Sequence, residues 1–167
     1  MARLDGTAEP EASVAITGAT GMLGWHARCR LETIPGVAVR AAGREIFTST
    51  DAMDAFLADC DVVIHLACLI RGDETAIVAE NRALTEALTA GLNRATGPVR
   101  AVIHASSTRE GDGSAYGTAK QEARDTLSGW CAGRGVRFVN LHLPNVFGEG
   151  GRPFHNSVVH TFCHQVA

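Results

Sequence analysis

The chain has 167 residues, with 15 Lys and Arg against 18 Asp and Glu, and a formal net charge of −3. This length supports one hydrophobic core, and the lack of a basic excess argues against a nucleic-acid partner. Residues 1–12 are polar and contain no apolar stretch, which predicts a disordered leader rather than a signal peptide or a membrane span. The five cysteines form no C-x-x-C pair, so we expect reduced thiols in a cytoplasmic protein.

The first structured segment is predicted to be a strand, a glycine turn and a helix. Residues 13–17 suit a short buried strand, and Gly18, Gly21 and Gly24 follow in the pattern T-G-x-x-G-x-x-G. One face of the following helix carries Leu23, Ala27 and Leu31. Such a turn lets the backbone approach a pyrophosphate and directs the free N–H groups of a helix N-terminus at the anion. The segment predicts a dinucleotide-binding turn, with an ordinary strand-to-helix turn as the alternative.

The rest of the chain predicts strands and helices in alternation, which is typical of a parallel α/β sheet. The predicted strands are residues 37–43, 61–67, 100–106 and 136–143. The predicted helices are residues 51–58, capped by Ser49 or Thr50, residues 74–95, with Ile77, Leu84 and Leu88 inward, residues 116–131, and residues 156–165. The segment 43–49 is too short for a crossover helix, which needs about a dozen residues. A third strand is therefore predicted to be absent, or a two-residue stub at Ile46 and Phe47.

Tyr116 and Lys120 are the only tyrosine and the only lysine of the chain, four residues apart in a predicted helix. Residues i and i+4 share a helix face, so an ammonium is predicted beside the phenol. A tyrosine normally titrates near pH ~10, and a neighbouring cation favours the phenolate. We therefore expect Lys120 to lower the pKa of Tyr116 and to make this tyrosine a proton donor or acceptor near neutral pH. The alternative is a solvated helix start.

The glycine turn and the Tyr-Lys pair together resemble the short-chain dehydrogenase/reductase superfamily, and in particular its extended branch, which modifies nucleotide sugars. Further segments follow in that family's order: DVVIHLAC (61–68), AENRALTEAL (79–88) with the structural Asn81, IHASSTREG (103–111) and HLPNVFGEG (142–150). The segment 151–167 is closest to reductases of capsular and O-antigen synthesis that act on a UDP-linked 4-keto sugar. The resemblance implies a Rossmann-type, doubly wound parallel sheet of five to six strands with a vestigial third strand. Residues 13–167 would form one NAD(P)-binding domain.

The resemblance also implies a Ser-Tyr-Lys catalytic site. Tyr116 would exchange a proton with the substrate oxygen, Lys120 would hold the nicotinamide ribose, and Ser107 would hydrogen-bond the reacting carbonyl. Ser106 and Thr108 are alternatives for the serine, and turn capping is the alternative for all three hydroxyls. Cofactor contacts are implied for Gly18, Thr20, Gly21, Met22, Leu23, Arg44, Leu66, Ala67, Lys120 and Asn145. Substrate contacts are implied for Ser107, Asn145 and Asn156, although helix capping explains Asn156 equally well.

The end of the second strand favours NADPH over NAD as the cofactor. An acid at this point of a Rossmann sheet binds the ribose 2′-hydroxyl, whereas an arginine suits a 2′-phosphate. Arg44 occupies that point here, and Arg40 is a weaker phosphate candidate. Glu45 leaves the alternative of NAD open, because a shift of one residue would place its carboxylate on the ribose.

Neither the histidines near the end of the chain nor His142 is predicted to form a ligand site. His160, Cys163 and His164 share helical spacing, but a set on one helix without a distant ligand is weak evidence for zinc. His142 stands where the family often has arginine, so a diphosphate or carboxylate contact is not expected from this position.

Three functions follow from the resemblance. The first is an NADPH-dependent reductase of a keto group on a nucleotide-linked sugar or similar small molecule. The second is an epimerase or dehydratase that retains its NAD, which an acid at Glu110 or Asp112 would support. The third is an NADP-binding module without turnover. Members of this family are longer, so the C-terminal substrate region is expected to be truncated, and a homodimer is expected through the alanine- and leucine-rich faces of the helices that begin at Glu74 and Tyr116.

Overall fold

The computed structural model describes residues 10–154 and 157–166, where five parallel strands alternate with five α-helices. The strands are β1 (Ala12–Thr17), β2 (Val37–Ala42), β3 (Val62–His65), β4 (Ala101–Ser107) and β5 (Arg137–Leu143). The helices are α1 (Met22–Leu31), α2 (Thr50–Leu57), α3 (Glu74–Arg94), α4 (Ala115–Ala132) and α5 (Val158–Val166). The predicted leader 1–12 falls mostly outside the described residues, and Ala12 already belongs to β1.

The strands form one sheet in the order β2-β1-β3-β4-β5. Thr17, at the carboxyl end of β1, pairs with Ala42 of β2 on one side and with His65 of β3 on the other. The chain leaves β1 toward one edge of the sheet and leaves β3 toward the opposite edge. In open α/β sheets, ligands bind at the carboxyl ends of the strands where this reversal occurs. The topology therefore predicts a binding crevice above Thr17 and His65.

Alternate side chains of the strands supply two hydrophobic cores, one on each face of the sheet. One face buries Ala15, Val63 and Val102 against residues of α2, α3 and α4, including Leu57, Leu88 and Leu127. The other face buries Val14 and Ile16 against Ala27 and Leu31 of α1. The alternation of neighbouring residues between the two cores confirms the predicted sheet covered on both faces.

The segment after β2 contains no third strand in the described structure. Glu45–Phe47 form one turn of 3₁₀-helix, and Ile46 is buried in the core, so of the two predicted outcomes the absent strand is correct. The next helix begins as predicted at a Ser49 cap, whose hydroxyl accepts a hydrogen bond from the Ala52 N–H at 3.1 Å. The prediction for Leu84 is only partly right, because this side chain is half-buried while its neighbour Thr85 is buried.

Polar side chains cap α3 and α4, and α4 carries the predicted catalytic residues Tyr116 and Lys120. The Asp73 carboxylate accepts hydrogen bonds from the first N–H groups of α3. The Ser114 hydroxyl accepts the Gly117 N–H at 3.0 Å, which starts α4 and places Tyr116 in its first turn. Within residues 10–154 and 157–166 no helix is both long and apolar enough to cross a membrane.

Candidate cofactor and catalytic site

The glycine turn packs directly against the chain that leaves β3. Gly18 has a φ of +69°, and a Cβ there would lie 2.6 Å from the Ala67 nitrogen and 2.8 Å from the Leu66 carbonyl carbon. A Cβ on Gly24 would overlap the Gly18 carbonyl oxygen. Both positions therefore require glycine for backbone packing, which joins the predicted cofactor residues Gly18, Leu66 and Ala67 in one contact.

Gly21 lies at the N-terminus of α1 and has a different environment. No side chain of the described residues caps this helix, and a Cβ on Gly21 would meet only the Gly18 carbonyl oxygen, at 3.4 Å. Thr20 and Gly21 are exposed, whereas Met22 and Leu23 are half-buried in the first turn of α1. Uncapped N–H groups and a missing side chain suit a bound phosphate. The residues present therefore fit the pyrophosphate of a dinucleotide.

Thr17 links the two strands of the crevice, although it was not among the predicted site residues. Its hydroxyl accepts the N–H groups of Leu66 and Ala67 at 3.2 and 3.3 Å and lies 2.9 Å from His65 Nδ1. The contact between the Thr17 hydroxyl and His65 Nδ1 is a hydrogen bond in either tautomer of the imidazole. Thr17 thereby holds the turn after β3 in place. A polar residue closing an apolar strand just before the first glycine was the available signal.

Arg44 and Glu45 lie just beyond β2 and are both exposed. The Glu45 carboxylate accepts the Gly43 N–H at 2.7 Å, and a Cβ on Gly43 would lie 2.7 Å from Glu45 Oε2 and 3.2 Å from Thr20 Cγ2. Backbone hydrogen bonds from Glu45 itself and from Gly43 lower the pKa of this carboxyl. The acid therefore sits beside the glycine turn, next to the arginine. Arg40 lies within β2 opposite Ala15, two residues before the strand ends.

Ser107, Tyr116 and Lys120 come together at the carboxyl end of β4. The Ser107 hydroxyl lies near enough to the Tyr116 phenol to act on its pKa, and Lys120 Nζ lies 5.7 Å from the centroid of the Tyr116 ring. Lys120 is only 5% exposed, and its ammonium donates to the Ala105 carbonyl oxygen at 2.6 Å. The spacing of four residues thus places the ammonium beside the phenol ring, as predicted.

The expected lowering of the Tyr116 pKa is wrong for this structure. Burial, together with the nearby Cys68 thiol, raises the pKa of Tyr116 to about 12 and outweighs the hydrogen bond from Ser107. The ammonium of Lys120 is directed at the Ala105 carbonyl and not at the phenol oxygen. Tyr116 is therefore a protonated phenol at neutral pH.

The three hydroxyls considered for the catalytic serine occupy different environments. Ser106 Oγ donates to the Glu110 carboxylate, and Thr108 is exposed. Of the three, Ser107 is the one whose hydroxyl acts to lower the pKa of Tyr116. Its hydroxyl also accepts the Arg109 N–H at 3.2 Å.

Glu110 and Asp112, the acids of the elimination alternative, are held by other side chains. Asn140 Nδ2 and His142 Nε2 lie 2.9 and 3.2 Å from Glu110 Oε2, and Arg124 Nε lies 3.3 Å from Oε1. Burial would raise the pKa of Glu110, but the hydrogen bonds from Ser106 and Asn140 and the charge of Arg124 leave it lowered. Hydrogen bonds from Ser114 and from Arg109 lower the pKa of Asp112 to about 2. Both carboxylates are therefore ionised and already accept hydrogen bonds from neighbouring side chains.

The segment after β5 carries the remaining predicted contacts. Asn145 is exposed two residues beyond the end of β5, whereas Asn156 lies outside the described residues. His26 of α1 and His160 of α5 hold the segment through the carbonyl oxygens of Glu149 and Gly148, at 2.8 and 2.6 Å. Across residues 10–154 and 157–166, no three His, Cys, Asp or Glu side chains are grouped to hold a metal ion.

Comparison with known proteins agrees with this geometry. The model of the NAD dependent epimerase/dehydratase family matches residues 14–167. The chain belongs to this family. The predicted resemblance is therefore confirmed at the level of the family.

Three relatives define how far the similarity extends. The UDP-2-acetamido-2,6-beta-L-arabino-hexul-4-ose reductase of Pseudomonas aeruginosa is 30% identical over 154 residues, which are 92% of this chain and 41% of that enzyme. The capsular polysaccharide assembling protein CapF of Staphylococcus aureus has a TM-score of 0.75 at 24% identity, over 92% of this chain and 40% of CapF. The UDP-glucuronic acid 4-epimerase of Bacillus cereus, solved with NAD, has a TM-score of 0.78 at 22% identity, over 92% and 62%. At these identities the two structures establish the fold, and the chain spans less than half the length of the first two relatives.

Proposed function

We propose that this chain is the cofactor-binding and proton-transferring part of an NADPH-dependent reductase that acts on a keto group of a nucleotide-linked sugar. The observation that carries the proposal is the juxtaposition of Ser107, Tyr116 and Lys120 at the carboxyl end of β4. A site of this kind needs a proton donor, a hydrogen bond to the carbonyl oxygen and a cation beside them. The relative from Pseudomonas aeruginosa, a reductase of a UDP-linked hexulose by its name, supports the substrate class.

The protonated state of Tyr116 suits the direction of reduction. A keto group that accepts a hydride becomes an alkoxide and must gain a proton. Tyr116 holds that proton on its phenol oxygen at neutral pH, since its pKa, about 12, lies well above 7. In the proposed step, the Tyr116 O–H bond breaks as the proton passes to the substrate oxygen, while the Ser107 hydroxyl hydrogen-bonds the same oxygen. The Lys120 ammonium stabilises the phenolate that remains.

The nicotinamide cofactor supplies the hydride when it is bound. We assign its pyrophosphate to Gly18, Thr20, Gly21, Met22 and Leu23, and its nicotinamide ribose to Lys120, with Leu66, Ala67 and Asn145 as further contacts. The glycine turn, the uncapped start of α1 and the buried ammonium support this assignment.

Arg44 supports NADPH as the preferred cofactor. Its guanidinium is on an exposed side chain at the end of β2, where it suits a 2′-phosphate. The neighbouring Glu45 carboxylate, bound to the Gly43 N–H, opposes a phosphate by its charge. The preference therefore depends on the balance of these two adjacent side chains.

Substrate recognition by this chain is proposed to involve Ser107, Asn145 and Asn156. The chain covers 41% of the reductase and 40% of CapF. We therefore assign the contacts to the nucleotide half of the substrate to a part of those longer proteins that has no counterpart in this chain. The elimination alternative is not favoured, since Glu110 and Asp112 are both engaged in hydrogen bonds and ion pairs.

A homodimer through α3 and α4 remains part of the proposal, but not every apolar residue of these helices is available to form it. Leu88 and Leu127 are fully buried within this chain. The groove between the two helices is lined by charged and polar side chains, and Arg82 pairs there with Glu122 at 2.9 Å. A dimer on this surface would be polar.

Two measurements on the purified protein separate the three functions. A reductase releases its cofactor and oxidises added NADPH when a UDP-linked 4-keto sugar is present. An epimerase or dehydratase retains NAD through purification and leaves added NADPH unchanged. A binding module gains thermal stability from NADPH, following RT ln(1 + [L]/Kd), but shows no oxidation that depends on the sugar. When a chain that completes the substrate site is present, the last two results would each reject the reductase.

A further inference from the structure

A small cavity lies next to Lys120, between β3, β4, α3 and α4. Its volume is about 10 Å³, the size at which a cavity begins to admit one water molecule. Its polar lining consists of His65, His104, Asn81, Thr85 and Lys120. Apolar cavities of this size stay dry, whereas a polar one with several partners holds ordered water.

His104 is the side chain that requires a ligand in this cavity. It is 1% exposed, and neither ring nitrogen has a hydrogen-bond partner among the residues that the structure describes. Burial and the charge of Lys120 lower the pKa of His104 to about 2, so the ring is neutral, with one donor and one acceptor nitrogen. Leaving such groups unpaired in a core is costly. A polar molecule in the cavity would remove that cost.

The neighbouring His65 is already oriented by Thr17. The two imidazoles stack with centroids 5.7 Å apart and planes 23° apart. His65 Nδ1 hydrogen-bonds the Thr17 hydroxyl at 2.9 Å, and Nε2 is the ring nitrogen that this contact does not use. Burial lowers the pKa of His65 to about 3, so this ring is also neutral beside the ammonium.

Lys120 retains donor capacity for the cavity. An ammonium has three N–H donors. One donates to the Ala105 carbonyl oxygen at 2.6 Å, and the charge of the ammonium acts to lower the pKa of the nearby Cys68 thiol, which burial raises. Among residues 10–154 and 157–166, the Ala105 carbonyl is the one hydrogen-bond partner of Lys120 Nζ, so donors remain for the cavity. Thr85 donates its own proton to the Asn81 carbonyl oxygen at 2.9 Å, which leaves its oxygen free to accept.

We propose that this cavity binds one water molecule that accepts from Lys120 and donates to His104 and Thr85, and that His104 is thereby a positioning residue for the Lys120 ammonium. The water connects the stacked histidines to the cation that lies over the Tyr116 ring. The consequence for proton transfer rests on the proposed function, whereas the water site itself does not.

The single lysine makes the proposal directly measurable. Protein labelled with ¹⁵N only in lysine side chains gives one ammonium resonance, from Lys120. Its hydrogen exchange with solvent is expected to be slow, and His104→Leu should accelerate it at least tenfold, which corresponds to about 1.4 kcal/mol. His104→Gln keeps a donor and an acceptor, and it should restore most of the protection.

Thr85→Val and Thr89→Val form a matched pair that avoids the risk of losing the fold. Each removes one hydroxyl that donates to the carbonyl four residues earlier on α3, at 2.9 and 3.0 Å, but only Thr85 lines the cavity. Thr85→Val should shift the Lys120 resonance and accelerate its exchange, whereas Thr89→Val should leave both unchanged.

A crystal structure at high resolution completes the test. The proposal expects one water within hydrogen-bonding distance of Lys120 Nζ and a His104 ring nitrogen. A dry cavity would overturn it. So would an ammonium resonance that is the same in wild type, His104→Leu and Thr85→Val. None of these readouts uses turnover, so their failure is distinct from failure of the reductase function.

Discussion

Replacing Gly21 by alanine should weaken cofactor binding while leaving the fold nearly unchanged. The backbone of Gly21 has a φ of −80° and a ψ of 167°, which alanine adopts without strain. The new methyl group would meet only the Gly18 carbonyl oxygen, at 3.4 Å. It would stand at the uncapped start of α1, where we place the pyrophosphate.

The structure separates this substitution from the same change at Gly18. Gly18→Ala combines a left-handed backbone, which costs roughly 1–2 kcal/mol, with overlap on the backbone of Ala67 at 2.6 Å, and overpacking costs about 1–3 kcal/mol. We expect a loss of about 3 kcal/mol in the free energy of unfolding. Gly21→Ala removes a favourable N-cap residue but also restricts the conformations of the unfolded chain. These opposing effects should change the free energy of unfolding by no more than about 1 kcal/mol.

Urea denaturation and calorimetric titration with NADPH measure the two effects independently. Gly21→Ala should weaken NADPH binding at least tenfold, or about 1.4 kcal/mol, with a normal unfolding midpoint. Gly129→Ala is the control, because this exposed glycine of α4 has no neighbouring atom within 4 Å of an added Cβ. Unimpaired binding by Gly21→Ala would refute the placement of the phosphate at this helix.

Three further predictions concern the cofactor preference and the titrating groups. Arg44→Ala should weaken NADPH binding by about 1.4–2.7 kcal/mol without changing the affinity for NADH, and Glu45→Gln should strengthen the preference for NADPH. Calorimetric titration of each variant with both cofactors measures the two affinities. An unchanged ratio of NADPH to NADH affinity would show that neither residue contacts the ribose. The ultraviolet absorbance of the single tyrosine should titrate near pH 12, since the pKa of Tyr116 is raised. The protonated phenol of Tyr116 contributes stability that is full below pH 10 and is lost as pH rises toward 12. A titration midpoint near pH 10 in the folded protein would contradict the raised pKa. Burial lowers the pKa values of His65 and His104 to about 3 and about 2. The two neutral imidazoles therefore contribute stability that is full above pH 6.5 and is lost as pH falls toward 3. Melting temperatures measured against pH should fall less steeply in His104→Gln than in wild type, and an equally steep fall would exclude His104 as a source of the pH dependence.

Most of the fold could be predicted because each strand and helix carries its own local signal. Apolar runs of strand length locate β1 through β5 to within about two residues at each end. The absent third strand followed from the short distance between Gly43 and Ser49. The orientation of Leu84 was less accurate, because the face of α3 toward the sheet includes the polar Asn81 and Thr85, which periodicity treats as outward.

The site was predictable where function depends on spacing and not where it depends on packing. The interval between Tyr116 and Lys120 fixes their proximity through helix geometry. The direction of the Tyr116 pKa was wrong, because it depends on burial and on where the ammonium donates, neither of which the sequence contains. The link from Thr17 to the turn after β3 joins residues 49 and 50 positions apart. Such a contact is visible only once the sheet order is known.

The central claim is that Tyr116 donates the proton in reduction of a keto sugar. Single-turnover fluorescence of NADPH, with a UDP-linked 4-keto sugar and any chain that completes the substrate site, tests it most directly in Tyr116→Phe. The account predicts that the variant binds NADPH nearly as well as wild type but does not consume it, because only the hydroxyl carries the proton. Consumption of NADPH by Tyr116→Phe at the wild-type rate would contradict the account.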